Sequence, residues 1–262
     1  MAQSVRFTCA GRTDVGIVRS GNEDNYLLLP DRAVFIVADG MGGHAAGEVA
    51  SEMAVRIIAQ ELGDVRGSAE EAAANRMRQA IRQANATIFE RTLTEHDKRG
   101  MGTTATAMVL NGRQYLIGQV GDSRAYLLRD GELIQLTKDH SYVQEQVDAG
   151  YLSPEEARTH PYSNVITRCV GANNEVAPDT YAGAVREGDL FLLASDGLTG
   201  MVDDPELHEI LLAHNEPQAL VDALVVEANN RGGLDNITVI AIHVEHVEFT
   251  RNDRPTVPTA EG

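Results

Sequence analysis

Four aspartates in this chain stand where apolar runs stop. Phe35-Ile-Val-Ala-Asp39-Gly40 and Phe191-Leu-Leu-Ala-Ser-Asp196-Gly197 each end in Asp-Gly, and Tyr115-Leu-Ile-Gly-Gln-Val-Gly-Asp122 ends in a third acid. Asp235-Asn236 precedes another such run, Ile237 to Val244. A single Asp-Gly is a common turn dipeptide. Acids at the ends of several core strands, with no obvious Lys or Arg partner nearby, read differently, because a buried carboxylate is costly unless paired or metal-bound. Oxygen donors of this kind favour Mg2+ or Mn2+ over zinc or copper. Several in one place suggest two cations bridged by an Asp, a pair that activates water and stabilises phosphoryl transfer.

Other chemistries fit less well. Asp39-Gly-Met-Gly-Gly-His-Ala-Ala-Gly47 has the glycines of a phosphate cradle before a helix. It lacks the Gly-Lys-Ser/Thr end of a P-loop and the spacing of a dinucleotide fingerprint. We read its glycines as a tight turn that exposes the Gly40 carbonyl to a cation. Cys9 and Cys169 are the only cysteines, and neither begins a Cys-x5-Arg phosphate loop, since Val15 and Glu175 hold the arginine positions. The cysteine count suits a reducing compartment and offers no disulfide framework. No Cys-x2-Cys or His-Glu-x2-His zinc pattern occurs. Gly121-Asp-Ser123 is similar to a block of some serine esterases, but their late Asp-x-x-His and the Gly-x-Ser-x-Gly elbow are missing.

The elements that must position the acids follow from hydrophobic pattern. Residues 5 to 40 read as short strands, with Ala33 to Ala38 buried. Val49, Met53 and Ile57 beside Ala50, Ala54, Ile58 and Leu62 make a helical stripe. A second helix carries Met77, Ile81, Ala84 and Ile88, with Ser68 as its N-cap. Strands return over Thr104 to Leu110, Gln114 to Val120, Arg124 to Leu128 and Leu133 to Leu136, the last two joined by a hairpin at Arg129-Asp130-Gly131. Residues 139 to 165 are polar and weakly periodic, a length that is usually functional or mobile. A strand over Asp189 to Ala194, two helices within about 204 to 230, and a strand over Ile237 to Val244 complete the core. Strands and helices come in clumps, which favours sheet on sheet with helices outside.

The 262-residue chain is 43% hydrophobic and 23% charged, as expected of a globular protein. Its net charge of −17, from 39 acidic and 22 basic residues, repels nucleic acid and anionic membrane. The apolar runs are strand-length, short of a membrane span. No signal-peptide pattern opens the chain, so we expect a cytoplasmic protein.

Taken together, the motifs resemble the metal-dependent serine/threonine phosphatases of type 2C, in particular the bacterial ones. The resemblance runs from about residue 6 to 245. It rests on Arg19-Ser-Gly-Asn-Glu-Asp-Asn25, Asp39-Gly-Met-Gly-Gly-His44, Gly102-Thr-Thr-Ala105, Gly121-Asp-Ser-Arg124, Ser195-Asp-Gly197 and Asp235-Asn236, in that order. It implies an α+β fold, a four-layer α-β-β-α sandwich of two antiparallel sheets flanked by helices, with metals at one end. A catalytic domain over 1–246 would include a flap at about 139–165, followed by a disordered tail over 247–262.

By position, Asp39 resembles the bridging ligand, and Asp196 and Asp235 ligands of a first Mg2+ or Mn2+. Gly40 would offer its carbonyl to a second, with Glu23 and Asp24 acting through water. Asp122 and Asp196 resemble ligands of a third, weaker ion; Gly200 stands where some relatives carry an extra acid. Arg19 resembles the residue that binds the substrate phosphate, His44 is the candidate general acid, and His160 lies in the flap as a candidate for substrate recognition. Thr103 and Thr104 read as structural, β-branched residues starting a buried strand. The expected reaction is attack of a metal-bridging water on phosphoserine or phosphothreonine without a phosphoenzyme. The expected partners are phosphoproteins, among them a serine/threonine kinase and its substrates, met by a monomer. A catalytically dead binding scaffold and a phosphatase of a sigma-factor regulator are the alternatives.

Overall fold

The computed structural model of the protein describes residues 5–42 and 46–248. Its strands are β1 (Val5–Asp14), β2 (Asp24–Leu29), β3 (Val34–Met41), β4 (Gly102–Thr103), β5 (Ala105–Asn111), β6 (Gln114–Val120), β7 (Arg124–Arg129), β8 (Glu132–Gln135), β9 (Asp179–Ala184), β10 (Leu190–Ala194) and β11 (Ile237–Val247). They form two antiparallel sheets. One runs β1-β11-β10-β7-β8; the other runs β2-β3-β5-β6-β9, with β4 paired to the end of β3.

The continuous apolar runs are explained by burial on both faces. Successive side chains of a strand point to opposite sides. In β3, Phe35 and Val37 enter the layer between the sheets, whereas Val34, Ile36 and Ala38 face the helices α1 (Ala46–Leu62) and α2 (Glu70–Thr94). In β10, Phe191 and Leu193 enter the same inter-sheet layer. Leu190, Leu192 and Ala194 pack with α6 (Asp204–Ala213) and α7 (Pro217–Asn230) on the other side. Three apolar layers thus separate four structural layers, α-β-β-α. Burying one such aliphatic side chain contributes about 1.5–3 kcal/mol.

Two local expectations are corrected, the N-cap of α2 and the start of the C-terminal tail, and short elements are added. Helix α2 starts at Glu70, with Ala69 and not Ser68 at its N-cap. Asn111 holds the preceding turn instead, accepting from Gly67 N and donating to the Ser68 carbonyl. The polar, weakly periodic 139–165 segment contains the short helices α3 (Tyr142–Asp148) and α4 (Pro154–Arg158), the latter closed by a Ser153–Glu156 capping box. The edge strand β9 was not expected, because its small and half-exposed residues carry no apolar pattern. At the C-terminus, β11 runs on to Val247, whose side chain is buried; the rest of the expected tail, beyond 248, lies outside the described residues.

Candidate active site

The ends of β3, β6 and β10 and the start of β11 deliver Asp39, Asp122, Asp196 and Asp235 to one open cleft of about 590 Å³. Arg19, Glu23, Gly40 and Glu48 line the same cleft. Asp24 lies just behind it, 5% exposed and directly opposite Asp39 in the β2–β3 ladder. Like charges facing each other across two strands are destabilising. Asp196 opens the one-turn helix α5 (Asp196–Thr199).

Electrostatics are unfavourable for this many acids. Burial drives the Asp39 carboxyl well above its ordinary range, and the charges of Asp24, Asp196 and Asp122 push it further. Asp122 is driven well up by burial, then by Asp196 and Asp139. Asp24 reaches about 7, again through burial first, although bonds from Ser195 and Thr238 pull the other way. Asp196 is raised by burial and by Asp235, while the neighbouring Asp39 carboxyl, near enough to share a proton, lowers it. The Oδ1 atoms of Asp24 and Asp196 are buried without a hydrogen-bond partner. An orphaned buried acceptor of this kind calls for a water or an ion. Arg19 supplies the one direct guanidinium contact to these acids that the described ion pairs contain: Nη2 donates to Asp235 Oδ2 at 2.7 Å, across the open rim.

The donor set therefore fits hard divalent cations: carboxylates, crowded and short of hydrogen bonds, with no thiol or imidazole on the described cleft wall and Met41 as its one thioether. Among the described residues, no three acidic, imidazole or thiol side chains close on a single point. The convergence expected from sequence is onto one cleft, and the acids stand around its walls. Gly40 is required by close approach: an added Cβ would lie 2.2 Å from the Gly47 carbonyl oxygen and 2.4 Å from that of Glu23. The backbones of β3, the loop before β2 and the start of α1 meet there.

Thr103 and Thr104, read as structural from the sequence, hold the acids by hydrogen bonds, as do residues assigned no role of this kind from the sequence. Thr104 Oγ1 accepts from Asp39 N at 2.9 Å, and Thr103 Oγ1 donates to Asp39 O at 2.9 Å, so the two buried threonines clamp the Asp39 backbone. Ser123 hydrogen-bonds Thr104 and is fully buried, which removes it as an esterase nucleophile. Ser195 Oγ donates to Asp24 Oδ2 at 2.8 Å. The Asn236 side chain accepts from Glu23 N and donates to Val15 O and Gly21 O, tying the Arg19 loop to the start of β11. Ser123, Ser195 and Asn236 each adjoin a strand-end acid in the sequence, the one signal it offered for them.

The flap segment is rooted beside Asp122. His140 N donates to the Gly121 carbonyl at 2.9 Å, and Gly121 N donates to His140 Nδ1 at 3.0 Å. Arg124 grips the neighbouring Asp139 through Nε and Nη2, at 3.0 and 2.7 Å. The segment presents Asn164 and Ile166 to the cleft. His160 is not brought to the cleft wall; it packs between Tyr142 and Tyr162, at ring separations of 6.0 and 5.6 Å. His44 lies outside the described residues.

Residues 19–219 match the model of the protein phosphatase 2C family. The chain belongs to the protein phosphatase 2C family. The serine/threonine phosphatase Stp of Listeria monocytogenes is 42% identical over 236 residues, covering 88% of this chain and 93% of its own. The crystal structure of the Mycobacterium tuberculosis serine/threonine phosphatase PstP superposes with a TM-score of 0.85 at 40% identity, over 92% of this chain and 99% of that one. The catalytic domain of PstP in complex with two manganese ions superposes with a TM-score of 0.82 at 38% identity, over 92% and 99%. The α-β-β-α sandwich described above is that of this phosphatase 2C family, and the chain is a metal-dependent serine/threonine phosphatase. Among the described residues, no helix is long and apolar enough to cross a membrane.

Proposed function

We propose that this phosphatase hydrolyses phosphoserine and phosphothreonine in proteins by direct attack of water, in the cleft around Asp39, with Mg2+ or Mn2+ as cofactor. The observation that carries the reading is the contact between Asp39 and Asp196, with Asp24 opposite and two carboxylate oxygens unpartnered. Such a group of acids is relieved by taking up protons or, with all of them ionised, by bound positive charge. Asp39, Asp196, Asp235 and the Gly40 carbonyl would hold two cations, with Glu23 and Asp24 acting through water. Asp122 and Asp196 would hold a weaker third. Bound cations supply charge neutralisation at the phosphate and a more acidic water.

The chain's own residues do the rest. Arg19 stands half-exposed on the rim, so its planar fork is placed to donate to the phosphate oxygens. Among the described residues no thiol lines the cleft; of its two hydroxyls, Thr104 is committed to Asp39 N and Ser123, and Ser20 lies on the exposed rim loop beside Arg19. That supports displacement by water without a phosphoenzyme. His44 is assigned the proton for the leaving alkoxide, as an imidazole titrates near neutrality. His160 takes no direct part in this reading; Asn164 and Ile166 are the flap residues that face substrate. We assign the chain, as a cytoplasmic monomer, to signalling circuits in which it opposes a serine/threonine kinase and its targets, consistent with the Stp and PstP relatives.

The test is hydrolysis of p-nitrophenyl phosphate and a phosphothreonine peptide with Mn2+. The wild type should turn over both, and Asp39→Ala neither, with unchanged circular dichroism. Turnover by Asp39→Ala at the wild-type rate would refute the mechanism.

A further inference from the structure

The rim beside Arg19 is apolar. Ile17, Val18 and Leu234 are 68, 63 and 55% exposed, and Val15 is 37% exposed. Single exposed aliphatics on a surface need no explanation. These sit together, on the loop that follows β1 and the loop that precedes β11. Ile17 N and Val18 N both donate to the Gly233 carbonyl, at 2.8 and 3.2 Å. An added Cβ on Gly233 would lie 2.8 Å from Ile17 Cγ1, and one on Gly232 would lie 3.7 Å from Leu234 Cδ2. The Ile17 and Leu234 side chains therefore lie over neighbouring residues of one short segment.

The two loops are tied together by hydrogen bonds and close backbone contact. Asn236 Nδ2 donates to Val15 O at 2.9 Å. Gly16 has φ +79°, and a Cβ there would lie 2.3 Å from the Asp235 carbonyl oxygen, so only glycine permits the approach. Val18 is followed by Arg19 and Leu234 by Asp235, and those two residues are joined at 2.7 Å. The apolar surface is thus continuous with the cleft rim and already ordered, which lowers the entropic cost of binding there.

Charge selects what it would receive. The chain carries −17, and a phosphorylated segment brings more negative charge. Acidic neighbours would be repelled, whereas an apolar neighbour gains by burial. The geometry points to a shelf formed by Ile17, Val18 and Leu234 that receives a large apolar side chain close to the phosphorylated serine or threonine, making these residues determinants of substrate choice. This rests on the phosphatase reading above.

The test compares wild type with the double variant Ile17→Ser/Leu234→Ser, both positions being exposed and outside the cleft lining. Phosphothreonine peptides differing only in Leu, Ala or Asp at the flanking positions are assayed with Mn2+. Each kcat/KM is divided by that of p-nitrophenyl phosphate, which is too small to span cleft and shelf. Wild type should favour the Leu peptide over the Ala peptide by about tenfold, with Asp poorest. The variant should keep less than about a twofold Leu preference. A wild type indifferent to Leu, or a variant with undiminished preference, overturns the shelf. So does sedimentation showing that the variant only converts a dimer to a monomer. Failure of the underlying reading shows separately, as absence of wild-type p-nitrophenyl phosphate turnover.

Discussion

The carboxyl groups of Asp39 and Asp196 lie close enough to share a proton, although they come from opposite sheets. One ends β3; the other follows β10 across the sandwich. Two carboxylates in contact cannot both ionise at low cost, so the contact is a place for a shared proton or a cation. Catalytic need and folding stability are therefore in conflict at this point of the molecule.

Replacing Asp39 with Asn separates the two. The amide keeps the shape and can donate to the neighbouring Asp196 carboxylate, but removes an ionisable group. We expect at least a ~1000-fold loss of kcat on p-nitrophenyl phosphate with Mn2+, since a lost ligand of the charge-stabilising centre costs several kcal/mol. In chelator, the same variant should be more stable than wild type by about 1–2 kcal/mol in urea. A variant that is both active and less stable in chelator would contradict the account.

Stability against pH should carry the mark of Asp24. Its folded value, about 7, lies above the ordinary 3.8, so the folded state keeps the proton longer than the unfolded chain. The contribution is full below about pH 4 and is lost as pH rises to about 7. For this 5%-exposed group the ceiling is about 4 kcal/mol. The stability of Asp24→Asn minus that of wild type, measured in chelator, should therefore climb from pH 4 to 7 and then level. Saturating Mn2+ should shrink the climb. A pH-independent difference would refute it.

What the sequence made legible was the part written in local pattern. An apolar run that stops at an acid is visible in a dozen residues, so Asp39, Asp122, Asp196 and Asp235 were found. Strands such as β6, buried on both faces, were equally plain. Hydrogen bonds closed by folding were not. Asn236 reaches Glu23, Val15 and Gly21 from more than 200 positions away. Ser195 reaches Asp24 across 171 positions. Nothing local marks such pairs. The helix start at Glu70 was misplaced for the same reason, since the distant Asn111 took over the preceding turn. Strand β9 was invisible because Asp179-Thr-Tyr-Ala-Gly-Ala184 lies at a sheet edge and buries little.

Thr104 tests whether those clamps matter. Its hydroxyl accepts from Asp39 N and bonds Ser123, at 1% exposure. Thr104→Val preserves shape while leaving that amide and the Ser123 hydroxyl short of a partner, a cost of about 1–3 kcal/mol. We expect a matching fall in stability by urea titration, together with a ~10-fold or larger fall in kcat as Asp39 loses its fixed position. Thr104→Ser should restore most of both. Loss of stability with unchanged kcat would make Thr104 a packing residue only.

Arg19 should show the opposite division. Its bond to Asp235 lies across the open rim, with the Arg19 side chain 52% exposed and that of Asp235 36% exposed. Exposed pairs of this kind contribute little to stability, about 0–1 kcal/mol. Arg19→Ala should therefore leave the melting temperature within a few degrees of wild type. Loss of a bidentate donor to phosphate should nevertheless lower kcat/KM on a phosphothreonine peptide by about 10- to 100-fold. Arg19→Lys should recover only part of this, because an ammonium keeps the charge but not the planar fork. If Arg19→Ala melted far below wild type yet kept its kcat/KM, the residue would be a structural strut to Asp235 and the phosphate contact would have to be sought elsewhere on the cleft wall.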